Sequence, residues 1–128
     1  MSQGYGKRLD ANQPEIVNEL RSIGFTVKST AMVGHGFVDI CVGFEGLNFL
    51  FEIKVDEKGK LTDDEEKFFN EWEGQTAVIH KTEQVIGEIR RVFEMFLDSS
   101  EKLAALGKLH DREKKLFRKR SRKAAKNK

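Results

Sequence analysis

Asp39, Glu52 and Lys54 are the residues of this 128-residue chain whose types and spacing could do chemistry together. They lie in two apolar-rich runs, residues 37–43 and 48–55, joined by a short turn containing Glu45-Gly46. A two-residue turn there pairs residues whose numbers sum to 91. Val38 then faces Ile53, Ile40 faces Phe51 and Val42 faces Phe49, which makes one apolar side for a core. The other side pairs Cys41 with Leu50, Phe37 with Lys54, and Asp39 with Glu52. A longer or bulged turn would shift the sum but leave every residue on its side, because side chains alternate along a strand. Opposed carboxylates repel unless they are protonated, separated by solvent or bridged by a cation. Two such groups are hard oxygen ligands suited to Mg²⁺ or Mn²⁺, and a neighbouring ammonium can orient a water or offset growing negative charge. These are the parts of a metal-assisted phosphodiester hydrolysis. A solvated strand face with scattered charges would use the same residue types.

The rest of the sequence supplies elements to hold that hairpin. Ile16, Val17, Leu20 and Ile23 recur at helical spacing over residues 12–23, with Asn12 and Glu15 in the pattern of a capping box and Gly24 at the stop. Residues 25–30 are rich in β-formers, and the loop 33–36 follows. After the hairpin, the polar loop 56–60 leads to Thr62-Asp-Asp-Glu65, a helix start, and a helix to about residue 73 whose Phe68, Phe69 and Trp72 are expected in the core. A strand over 76–80 precedes a helix from residue 82, where Val85, Ile86, Ile89, Val92, Phe93, Phe96 and Leu97 form a broad apolar face. Ser99-Ser100 is placed to break or recap it before Leu103 and Leu106. The order predicts an α/β domain over residues 1–98, one sheet with helices packed on it, and a helical extension with a flexible basic tail over 99–128.

Length allows one core. Cys41 is the single cysteine, which excludes a disulfide framework and a multi-cysteine zinc site. No run is long and apolar enough for a membrane span, and residues 1–8 lack the apolar centre of a secretory signal, so a cytoplasmic protein without a membrane partner is expected. The formal charge of +2 hides a division: residues 110–128 hold ten Lys and Arg against two acids, and the remainder is net −6. Such a block reads as a solvated arm, as an arm that holds a polyanion, or more weakly as a localisation address. In the second case Lys114, Lys115, Arg118, Lys119, Arg120, Arg122 and Lys123 would grip phosphates collectively.

Gly36-Phe-Val-Asp39-Ile and Phe51-Glu52-Ile-Lys54, with twelve residues between Asp39 and Glu52, resemble the PD-(D/E)xK nuclease superfamily. The wider pattern is similar to its small VRR-NUC-like and Holliday-junction-resolvase-like members, particularly compact phage nucleases. It extends from about residue 12 to 86 through Pro14-Glu15-Ile16-Val17, the Gly-rich approach to Asp39, and Leu61-Thr-Asp-Asp. Val38 stands where the superfamily often has proline before the aspartate.

The resemblance implies a restriction-endonuclease-like mixed sheet flanked by helices and an endonuclease acting on DNA, in the host cytoplasm if phage-encoded. Asp39, Glu52 and the carbonyl of Ile53 would ligate Mg²⁺ or Mn²⁺, Glu15 would add a first-helix ligand, and Lys54 would position or help deprotonate the attacking water. The products would be a 5′-phosphate and a 3′-hydroxyl. Symmetric cutting of a four-way junction would require a homodimer.

Several residues have simpler readings. Glu15 serves equally as a helix cap, and Asp63, Asp64 and Glu65 as first-turn acids favoured by the helix dipole, so these three stay outside the site. His35 reads as a solvated loop histidine, Lys28, Ser29 and Thr30 as strand residues, and Cys41 as a packing residue. A non-catalytic nucleic-acid-binding module on the same scaffold, or an assembly protein associating through the apolar helix over 85–97, are the competing functions.

Overall fold

A computed structural model describes residues 11–96 and 98–126. Residues 1–8, Leu97 and Lys128, which figure in the sequence reading, lie outside them. The described chain is an α/β fold with four α-helices and a four-stranded mixed sheet. The order is α1 (Gln13–Ser22), β1 (Thr26–Ser29), a 3₁₀ turn (Ala31–Val33), β2 (Ile40–Phe44), β3 (Leu47–Ile53), α2 (Asp63–Glu71), β4 (Thr76–Ile79), α3 (Thr82–Phe96) and α4 (Ser99–Lys126). Strands β1, β2 and β3 are antiparallel neighbours, and β4 joins β3 in parallel after the α2 crossover. No helix among the described residues is long and apolar enough to cross a membrane.

The hairpin has the register expected from its turn. Ile40 faces Phe51, Cys41 faces Leu50, Val42 faces Phe49, and Phe44 faces Leu47 across Glu45 and Gly46. Both turn residues have positive φ, 47° and 87°, the backbone of a type I′ turn, which matches the twist of the strands it joins.

Val27, Ile40, Val42, Phe49, Phe51, Ile53 and Ile79 turn one sheet face into the core. α1 covers it with Ile16, Val17 and Leu20, and α3 with Val85, Ile86, Ile89, Val92 and Phe93. The apolar face of α3 is therefore consumed inside the molecule; Phe93 is buried, and only Met95 and Phe96 of its last turn are widely exposed. Most of the face weighed above for an assembly role is therefore packed against the sheet.

Two sequence expectations need correction here. Asn12 makes no side-chain cap on α1. Its amide Nδ2 donates instead to the carbonyls of Lys54 and His80, both at 3.0 Å, stapling the start of α1 to the chain just past the ends of β3 and β4. Two partly buried carbonyls need a donor more than a helix end open to water does.

The second correction concerns the C-terminal segment. Through Lys126 the segment is helix, not a loose arm: α4 is one helix of 28 residues, started by Asp98, whose carboxylate accepts from the backbone of Glu101. Ala105, Leu109 and Leu116 belong to the same core as the sheet, so residues 99–126 are not a separate unit. Between them Arg112 lies over the rings of Phe25 and Phe44, 4.9 and 4.7 Å from their centroids. Helical spacing of a few apolar residues, with long basic stems packed between them, outweighs the charge density that reads as disorder.

Arg120 ends this docking stripe. It bonds Glu19 at 2.9 and 3.0 Å and also reaches Glu83, while Thr82 donates to Glu19 at 2.5 Å. Its guanidinium holds both glutamates below their ordinary value of 4.5. A carboxylate with a lowered folded pKa adds stability above its unfolded pKa and loses it as pH falls through the folded one. Arg120→Met is thus expected to cost about 1 kcal/mol at neutral pH, allowing for solvent screening of this half-exposed trio. The penalty should fade as pH drops below about 4.5, which urea unfolding at pH 7 and pH 3 would measure.

Candidate active site

Strand β2 begins at Ile40, and the pairing changes just before it. The Asp39 amide donates to the carbonyl of Phe51 at 3.0 Å, and Asp39 Oδ2 accepts from the amide of Ile53 at 2.7 Å. The aspartate is therefore not simply opposed to Glu52, as a continued register would have it. Its carboxylate is turned onto the β3 backbone and replaces a missing ladder acceptor, which fixes its position beside the Glu52–Lys54 segment. Asp39 and Glu52 are both buried, Glu52 to within 1% of complete.

Lys54 is held by its backbone on two sides, its amide donating to Ile79 at 2.9 Å and its carbonyl accepting from Asn12. Its ammonium lies 3.5 Å from Glu52 Oε2 and 2.8 Å from Glu65 Oε1. The loop after β3 crosses its stem so closely that a Cβ on Gly59 would stand 2.7 Å from Lys54 Cβ. The sheet face opposite the core thus gathers Glu52 and Lys54, with Asp39 at the strand start and Glu65 arriving from α2.

Glu65 is the site residue that sequence reasoning set aside. The capping box is present, Thr62 Oγ1 accepting from the Glu65 amide at 3.2 Å. The Glu65 carboxylate is nonetheless buried, and its Oε1 accepts from both the Thr62 amide, at 2.9 Å, and Lys54. The capping pattern explains Glu65 fully at the level of sequence, and nothing local signals its second partner.

Gly36 seats the approach to Asp39 on this same helix turn. It has φ of 82°, and a Cβ there would fall 2.5 Å from the carbonyl oxygen of Asp64. Next to it Phe37 packs edge-on against Phe68 and Trp72 of α2, with ring centroids 5.3 and 6.1 Å apart. Phe68, Phe69 and Trp72 therefore lie outside the main core, contrary to expectation, because their rings pack on one another and on Phe37 instead of entering the space between the sheet, α1 and α3.

Other sequence candidates fall elsewhere. Glu15 is exposed and lines a cleft between α1 and α4 with Lys119, Arg120 and Lys123, while Asn12 and Gln13 are the first-turn residues of α1 that turn inward. His35 is exposed, and Thr30 donates its hydroxyl to the Val38 carbonyl at 2.7 Å. Burial pushes the Cys41 thiol up, away from the thiolate a nucleophile needs. On α4, Lys114, Lys115, Arg118, Lys119, Arg122 and Lys123 are exposed, whereas Arg120 is committed to its two glutamates.

As donors, Asp39, Glu52 and the Ile53 carbonyl are all hard oxygens, the chemistry that Mg²⁺ and Mn²⁺ take. Among the described residues no three His, Cys, Asp or Glu side chains gather into a metal-holding group, and Glu15 does not join the pair. A hard cation held here would complete its sphere with water and substrate oxygens, as Mg²⁺ commonly does.

No family model matches the chain, and neither the curated proteins nor the solved structures include a match to it.

Proposed function

We propose that this chain is a metal-dependent endonuclease that hydrolyses DNA phosphodiester bonds, with a preference for branched or junction DNA. The observation that carries the reading is the placement of Lys54 Nζ 3.5 Å from Glu52, beside an aspartate anchored to the same strand. Asp39, Glu52 and the Ile53 carbonyl would hold Mg²⁺ or Mn²⁺, which as a Lewis acid eases ionisation of water and offsets charge on the phosphoryl oxygens. Lys54 orients the attacking water and faces the oxygen charge that grows as water's oxygen bonds to phosphorus and the bond to the departing 3′ oxygen breaks. Glu65 and Glu52 fix the ammonium in place, so its direction is set before substrate arrives.

The exposed basic side chains of α4 supply phosphate contacts that an otherwise acidic body lacks, giving affinity with little sequence preference that falls steeply with salt. Purified protein is expected to nick or cut DNA only with Mg²⁺ or Mn²⁺ when linear, nicked, flap and four-way substrates are compared. Two coordinated cuts in a four-way junction would call for a homodimer, which sedimentation would show.

One observation favours a second reading. Asp39 Oδ2 already serves the sheet by accepting the Ile53 amide, a purely structural use of a carboxylate. Salt-dependent binding without cleavage of any DNA or RNA substrate would establish a non-catalytic nucleic-acid-binding module instead.

A further inference from the structure

α2 carries Glu65 to the site and, three and four residues later, Phe68 and Phe69, with Trp72 at its C-terminal cap. Phe37, two residues before Asp39, completes the group from the other side. Phe68 and Trp72 stack at 5.1 Å with an interplanar angle of 23°, and Phe69 meets Phe68 edge-on at 5.5 Å. Trp72 remains 44% exposed, although one ring face lies on Phe68. None of these four rings belongs to the main core. A tiered aromatic stack with its outermost indole open to solvent costs apolar exposure, and it stands beside the carboxylates rather than at a distant surface.

We infer that Trp72, backed by Phe68 and Phe37, is a platform on which an unpaired nucleobase of the substrate stacks. The inference rests on the nucleic-acid reading above and names the structural class within it: strands with a base free of its partner, as at a flap, a branch or a single-stranded end. Every base offers a π-face, so an indole platform selects for lack of pairing rather than for sequence. The charges on α2 agree with a base rather than a backbone contact. Asp63, Asp64, Glu66 and Glu71 are exposed along the helix and would repel phosphates lying on it, while leaving a neutral base acceptable at its aromatic end. The sugar–phosphate chain would then be steered away from α2.

Trp72 is the single tryptophan of the chain, so its emission reports on the platform directly. The full-length protein in EDTA, where metal-dependent cleavage is silent, is titrated with fluorescently labelled oligothymidine and with a blunt duplex of matched length. Oligothymidine is expected to quench Trp72 strongly and the duplex weakly. By anisotropy, Trp72→Ala should weaken oligothymidine binding about tenfold or more and leave duplex binding within about twofold, with Trp72→Phe recovering most of the loss. Urea unfolding of the variants, followed by circular dichroism, shows whether the fold is kept; if Trp72→Ala unfolds, Trp72→Phe and the wild-type quenching decide. Equal quenching by both ligands, equal loss of both affinities in a folded variant, or no binding of oligothymidine would overturn the platform. Because no cleavage is read, a stacking protein that never cuts DNA would refute the hydrolase and leave the platform standing. A protein that cuts but is indifferent to Trp72 would do the reverse.

Discussion

Asp39→Asn and Glu52→Gln are each expected to remove metal-dependent DNA cleavage while the protein stays folded. A divalent cation contributes several kcal/mol to stabilising the charge of phosphoryl transfer, and each 1.4 kcal/mol or so is a tenfold change in rate, so the loss should be at least about a hundredfold. The amide substitutions matter because of how Asp39 is bound. An alanine at 39 would strip the Ile53 amide of its acceptor, at a cost of about 1–3 kcal/mol for a buried donor left unpaired. Asparagine keeps an oxygen for that bond and discards only the charge. Rates under single-turnover conditions, with circular dichroism and urea midpoints in parallel, separate the two effects. Undiminished cutting by both variants would move the chemistry to some other part of the chain.

Leu109→Ala carries the largest expected change in stability. Leu109 is completely buried between α4 and the rest of the core, and truncating such a leucine costs about 2–5 kcal/mol through lost transfer free energy and the cavity left behind. The same substitution in a solvated basic arm would change nothing measurable. A shift of the urea midpoint at constant slope, followed by circular dichroism, tests the docked helix directly. A chain ending at residue 98 should lose cooperative unfolding altogether, since the core would forfeit Ala105, Leu109 and Leu116 together. An unchanged midpoint for Leu109→Ala would restore the view of residues 99–128 as an appendage.

What the sequence discloses depends on the range over which each interaction acts. The hairpin register, the apolar side running from Val38 to Ile53, and the α2 start at Thr62 follow from alternation, turn length and capping, all of which operate within a few residues. Local chemistry alone accounts for Asn12 and Glu65 as helix caps; their further partners are 42 and 11 residues away, and only the fold brings those together. For α4, the apolar positions 105, 109 and 116 carry a legible helical period, but the partly buried Arg112 and Arg120 extend the docking stripe that the buried leucines begin. A scale that counts guanidinium as charge alone erases that pattern. The faces of the site were thus readable from the chain, whereas the turn of Asp39 onto β3 and the arrival of Glu65 were not, because both depend on where the strand pairing ends.

The shared oxygen of Glu65 ties two events that are separate in most proteins. It closes the first turn of α2 and fixes the lysine ammonium with the same atom. Fraying of that turn and loosening of the ammonium are consequently coupled, with Glu52 still holding the lysine from its other side. Under the hydrolysis proposed above, local opening at the Thr62 amide would loosen the lysine, and mild heating or denaturant is expected to lower cleavage before the sheet melts.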